Sequence, residues 1–98
     1  MKPTIFYIAF NLRTGAGYET FGKFFIGNNK EIASIIFRKL QGQKDVNEKT
    51  VLSLELMETR NGLPLNVQML SCCLDDLAEN TKIITREIFK LHNLEQLR

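Results

Sequence analysis

Thr4-Ile5-Phe6-Tyr7-Ile8-Ala9-Phe10 and Thr50-Val51-Leu52-Ser53-Leu54-Glu55-Leu56 are the two stretches on which the reading of the fold turns. At an offset of 46, Thr4, Phe6, Ile8 and Phe10 fall on Thr50, Leu52, Leu54 and Leu56. Further along, at an offset of 48, Glu31, Ile35, Ile36, Arg38 and Leu40 fall on Glu79, Ile83, Ile84, Arg86 and Ile88. A two-residue difference in loop length reconciles the registers. Self-similarity of this kind marks a repeated supersecondary unit. Here it predicts a β-hairpin followed by a helix, twice, within one domain over residues 1–98. The units are expected at 4–42 and 50–94, joined by a polar linker at 43–49.

The alternation assigns faces to the strands. Phe6, Ile8, Phe10 and Leu12 share one side of the first strand, and Ile5, Tyr7, Ala9 and Asn11 the other. Arg13 to Gly17 supplies a turn, and a second strand is expected near 18–26. Pairing Leu12 with Tyr18 sets Phe10 opposite Thr20, Ile8 opposite Gly22 and Phe6 opposite Phe24. Asn61-Gly62 is the preferred pair for a tight type I′ hairpin. Pairing Arg60 with Leu63 sets Leu56 opposite Val67, Leu54 opposite Met69 and Leu52 opposite Ser71. Both registers keep the strand charges off the core face, and a one-residue slip would bring them in.

Asn28 with Glu31, and Asp76 with Glu79, have the capping-box spacing that opens a helix. The first helix carries Ile32, Ile36 and Leu40 as its stripe and stops at Gly42. The second carries Leu77, Thr81, Ile84, Ile88 and Leu91, with Ile83, Phe89, Leu94 and Leu97 outside the stripe. These elements predict an α+β, two-layer ββαββα domain with both helices on one face of a four-stranded antiparallel sheet. A right-handed connection gives the order 2-1-3-4. That order puts the two corresponding strands at the centre and the Pro64 strand at an edge, where a missing N–H is tolerated.

Composition bounds the function. At 44% hydrophobic and 24% charged the chain is globular in type. A net charge of +2 is too small to point to nucleic acid or an anionic membrane. No apolar run approaches the roughly 18 residues of a spanning helix. The start lacks the continuous apolar stretch of a signal peptide, because alternation leads straight to Asn11. A cytoplasmic protein is therefore expected.

No constellation of residues predicts catalysis, a metal or a cofactor. Cys72 and Cys73 are adjacent, too close for an unstrained disulfide, and in a strand they point to opposite faces. They read as small apolar strand residues. His92, late in the last helix on the flank of its apolar stripe, reads as a structural or solvent-edge residue. Asp75-Asp76 sits at a helix start, where negative charge is favoured electrostatically. Gly15-Ala16-Gly17 joins two strands and leads into no helix, so it reads as a hairpin and not as a phosphate-binding loop. Phe21 to Ile26 resembles the aromatic strand of RNA-recognition domains in part. Glu19 stands where that strand carries a base, however, and Lys23 where it carries an aromatic.

The sheet face away from the helices is the remaining candidate. On these registers it bears Ile5, Tyr7, Ala9, Phe21, Phe25, Val51, Met57, Leu70 and Cys72. Interspersed are Asn11, Glu19, Lys23, Ser53, Glu55, Asn66 and Gln68. A water-facing antiparallel sheet is normally polar on that side, and a large apolar patch marks an interface. The chain is thus expected to be a non-enzymatic interaction module, a homodimer contacting its partner through Ile5, Tyr7, Phe21, Lys23, Phe25, Met57 and Leu70. The alternative is single-stranded nucleic-acid or small-ligand binding on the same aromatic face.

Overall fold

A computed structural model describes residues 3–47 and 49–96. The elements follow the expected order: β1 (Ile5–Thr14), β2 (Gly17–Gly27), α1 (Lys30–Arg38), β3 (Leu52–Arg60), β4 (Leu63–Ser71) and α2 (Leu74–Gln96). The four strands form one antiparallel sheet in the order β2-β1-β3-β4. The two strands that opened the sequence reading lie side by side at its centre. Ile8 faces Leu56 and Phe10 faces Leu54 across that seam. With Phe6, Ala33, Ile36, Phe37, Leu40, Leu70 and Ile84 they form a single buried cluster. Because it draws on both helices and on one side of the sheet, the cluster leaves the other side uncovered.

Asn61 and Gly62 both take positive φ, 55° and 83°, as a type I′ turn requires. The first hairpin turns more tightly than expected. Strand pairing continues to Thr14 and Gly17, the chain reverses over Gly15 and Ala16, and Gly17 supplies a φ of 113°. Leu12 consequently faces Glu19 and not Tyr18.

Each edge strand then departs from regular pairing, β2 at two places and β4 at one. In β2 the extra residues are Phe21, so that Phe10 faces Gly22 and Ile8 faces Phe24, and Ile26, so that Phe6 faces Gly27. In β4 it is Val67: Met57 faces Asn66 as expected, but Leu56 faces Gln68 and Leu54 faces Leu70. The bulged positions 21 and 67 are themselves 46 apart, so the repeat extends to this irregularity, while the one at Ile26 has no counterpart in β4. An extra residue puts two side chains opposite one and turns the strand, which is how Leu70 reaches the core.

The expectation that all strand charges avoid the core face is also corrected. Glu58 lies on the helix side opposite Phe6, only 5% exposed. Its carboxylate accepts from Arg60 Nη2 at 2.6 Å and Nε at 3.0 Å. A paired, hydrogen-bonded carboxylate can sit where an unpaired one would be costly.

Both helices begin elsewhere than expected. Asn29, not Asn28, caps α1, accepting from the Ile32 N–H at 3.0 Å. The helix ends at Arg38, one turn before Gly42. Asp76 is not the first cap of α2 but its third residue, reaching back to accept the Cys73 N–H at 3.3 Å. Ile83, expected outside the stripe, packs on the core cluster beside Leu77, Ile88 and Leu91. Leu97 and the side chain of Leu94 lie outside the described residues.

One buried amide ties the linker into the fold. Asn80 of α2 is fully buried, accepting from the Gln41 N–H at 2.6 Å and donating to the Gln41 carbonyl at 2.8 Å. Two residues later Gln43 bridges to Ser71, its N–H on the Ser71 carbonyl at 2.9 Å and its carbonyl on the Ser71 N–H at 2.7 Å. Gly42 lies between with φ +146°, where a side chain would collide with the Ser71 carbonyl.

Asn80→Ala leaves both main-chain groups of Gln41 without their partner, and unsatisfied buried polar groups cost about 1–3 kcal/mol each. A loss of about 2–4 kcal/mol in urea unfolding is expected, and a change below about 0.5 kcal/mol would show that water replaces the amide freely.

Candidate functional site

The uncovered face is built in rows, because directly paired residues of an antiparallel sheet share a side. Phe25, Tyr7, Met57 and Asn66 form one row across the four strands, and Lys23, Ala9, Glu55 and Met69 the next. Thr20, Asn11, Ser53 and Ser71 form a third. Of the seven residues expected on this surface, the structure gathers five here: Ile5, Tyr7, Lys23, Phe25 and Met57.

Two are misplaced by the bulges. Leu70 lies on the helix side at 7% exposure within the core cluster. Phe21 is the extra residue of β2, and its ring meets that of Phe10, a helix-side residue, at 6.1 Å between centroids. Cys72, also expected here, packs against the core cluster instead. Met69 takes the place of Leu70, opposite Glu55. The repeat held the signal for this shift, since 46 residues also separate Thr20 from Asn66 and Phe21 from Val67.

The face is divided in two. Its apolar half centres on Tyr7, whose ring lies 5.6 Å from that of Phe25 and 5.2 Å from the Lys23 ammonium. Tyr7 is buried by these neighbours, while Phe25 remains 61% exposed. The polar half is a hydrogen-bonded chain with one member from each strand. Thr20 Oγ1 donates to Asn11 Oδ1 at 2.6 Å, Asn11 Nδ2 donates to the Glu55 carboxylate, and Asn66 Nδ2 donates to Glu55 Oε2 at 2.7 Å. Sequence alternation marks these residues as polar but not as partners. Tyr18 and Arg13 close the far end, the guanidinium 5.1 Å from the ring and the phenol donating to the Thr50 carbonyl.

Away from the sheet face, an open cleft of about 470 Å³ lies between the linker and the start of α2, lined by Asp45, Asn47, Lys49, Cys72, Cys73 and Asp76. Both cysteines are free. Burial first, then the negative charge of Asp76, pushes the Cys72 thiol up to about 11. On α2, Glu87 is held below the ordinary carboxylate range, chiefly by its hydrogen bond from Lys39 at 2.5 Å, which ties α2 to α1. His92 is exposed. Among the described residues no group of three or more His, Cys, Asp or Glu side chains is placed to hold a metal ion, and no helix is long and apolar enough to cross a membrane.

Compared with known proteins, the chain matches no family model, no curated sequence and no solved structure.

The two thiols are expected to separate chemically, since the thiolate is the reactive form. Iodoacetamide at neutral pH modifies exposed Cys73 first and Cys72 slowly, as peptide mapping would report; equal rates would contradict the buried environment of Cys72. The raised value also has a sign. The folded state holds the Cys72 proton more tightly than the unfolded chain, so its contribution is intact below the ordinary value of 9.0 and is lost as pH rises toward about 11. Cys72→Ala is therefore expected to flatten that part of the stability–pH curve relative to the native chain.

Proposed function

We infer that the chain is a protein–protein interaction module that self-associates as a homodimer through the uncovered sheet face. The observation that carries this reading is the exposed Phe25 ring. It stands on a row with Tyr7 and Met57, on the one side of the sheet that neither helix covers. Two-fold homodimers are the commonest oligomers, and they require a patch that fits itself. Four strands about 4.8 Å apart and about eight residues long offer roughly 500 Å² of projected face. Two such faces, with side-chain relief, reach the lower part of the 1,200–2,000 Å² that specific interfaces bury. Covering a large aromatic ring contributes about 1.5–3 kcal/mol before the costs of association are met.

The same reading makes the chain a binding module and not a catalyst. Asn11, Thr20, Glu55 and Asn66, the polar groups that converge on this face, are engaged with one another as structural partners. Single-stranded nucleic acid is the second reading, favoured by two exposed aromatics on a face that also carries Lys23 and Arg13, Phe25 at one end and Tyr18 at the other, since bases stack on such rings. The Glu55 carboxylate at the middle of the face weighs against a phosphate backbone lying across it.

Sedimentation velocity separates the two. A dimer at tens of micromolar that persists in high salt is expected, because apolar association holds where phosphate contacts weaken. Phe25→Glu converts it to monomer, while Phe21→Ser, off this face, leaves it dimeric. A monomeric native chain, or a dimer indifferent to Phe25→Glu, would overturn the reading.

A further inference from the structure

Ala9 is the pivot of the uncovered face. Among the described residues it is the only one paired on one side with a cation and on the other with an anion: Lys23 of β2 and Glu55 of β3. With adjacent strands about 4.8 Å apart, the two charges stand on opposite sides of β1, roughly 10 Å from one another at the backbone. The ion pairs among the described residues are Lys39–Glu87, Arg60–Glu58 and Lys90–Glu87. Lys23 meets only the Tyr7 ring, and Glu55 only the neutral amides of Asn11 and Asn66. Among the described residues, therefore, neither of these two opposite charges has an ionic partner.

Resting on the self-association reading above, we propose that the dimer two-fold axis runs along β1 over Ala9, so that Lys23 of each chain pairs with the partner's Glu55. Rotation about an axis parallel to the strands, midway between the stacked faces, exchanges left and right while keeping the row. Lys23 then lies over the partner's Glu55 and Glu55 over the partner's Lys23. One row along, Phe25 lies over the partner's Met57, and one row the other way Thr20 lies over the partner's Ser53. Tyr7, Ala9 and Asn11 lie on the axis and meet their own copies, and each β4 overhangs the partner's β2 edge, so that three of the four strands, roughly three-quarters of the face, are covered.

The alternative axes fail on charge. A two-fold across the strands through the same row sets Lys23 on Lys23 and Glu55 on Glu55. An axis moved half a strand, over the β1–β3 seam, sets Glu55 on the partner's Ala9 and Lys23 on the partner's Met69, leaving both charges buried without a counter-ion. Like charges opposed at an interface, or single charges desolvated there, are what interfaces select against. The chosen axis also suits the shape of the sheets. Twisted sheets stack about 10 Å apart at a modest angle and touch closest at their centre, where the small Ala9 side chain sits.

The test is a charge exchange read as a dimer dissociation constant. Lys23→Glu and Glu55→Lys are each expected to weaken the dimer by roughly tenfold or more, because each opposes like charges twice. The double exchange returns to within about threefold of the native chain, and an equimolar mixture of the two single variants forms heterodimers. Lys23→Glu combined with Glu55→Gln, which keeps an acceptor for Asn11 and Asn66, covers the case in which Glu55→Lys does not fold. That pair is expected to bind more tightly than Lys23→Glu alone. If Phe25→Glu dissociates the native dimer but the single exchanges do nothing, or neither double variant recovers, the axis is wrong and the sheet-face reading survives. A native chain that is monomeric overturns both.

Discussion

The pairing of β1 with β3 is the constraint on which the rest depends. It joins the two hairpin–helix units into one sheet by setting Ile8 against Leu56 and Phe10 against Leu54, and all but Phe10 are fully buried. Side chains alternate along each strand, so the same pairing fixes the opposite face as well. Tyr7 must then meet Met57, Ala9 must meet Glu55, and Asn11 must meet Ser53. A slip of one residue would exchange the faces and put Glu55 into the core. The core and the candidate interaction surface are therefore two sides of one register, and neither can change alone.

Around this seam the chain repeats itself and then departs from the repeat where the connections demand it. The edge strands carry corresponding bulges at Phe21 and Val67, each opposite a central apolar residue, Phe10 or Leu56. Bulges also twist an edge away from further pairing. On the β4 edge this is reinforced by Pro64 near one end and by Gln43 bridging to Ser71 at the other. The helices diverge more. At the offset of 48, Ile32 of α1 corresponds to Asn80 of α2. An apolar side chain gives way to an amide there because the linker passes over α2 and brings the N–H and carbonyl of Gln41 with it.

The architecture was legible in the sequence because it rests on strong, redundant signals. The β1 and β3 alternations, the Asn61-Gly62 turn and the Ile36 and Ile84 stripes each point to the same sheet and layer. The site was most legible in its central strands, where Ile5, Tyr7 and Met57 lie on the side that alternation gives them. The edge strands defeated that reasoning. In Thr20-Phe21-Gly22-Lys23-Phe24-Phe25 and Asn66-Val67-Gln68-Met69-Leu70, apolar residues occur in both phases, so either register buries some of them. A bulge is decided by the partner strand, not by the strand that contains it. Phe21 and Leu70 were misassigned for that reason, and Phe25 escaped because both registers give it the same side. Glu58 was misread differently: its side follows from alternation, but its burial is made tolerable by Arg60, a partner two residues away.

If the uncovered face is the proposed dimer interface, the thickness of the assembly is its physical signature. The chain measures 47 × 34 × 20 Å. Small-angle X-ray scattering at tens of micromolar tests the central claim most directly, because it reports mass and dimensions together. Stacking two copies through their open faces sets the two sheets about 10 Å apart and gives a thick, compact particle of dimer mass. A particle of dimer mass that is elongated, with a maximum dimension approaching twice 47 Å as end-to-end association would give, or a particle of monomer mass, would contradict it.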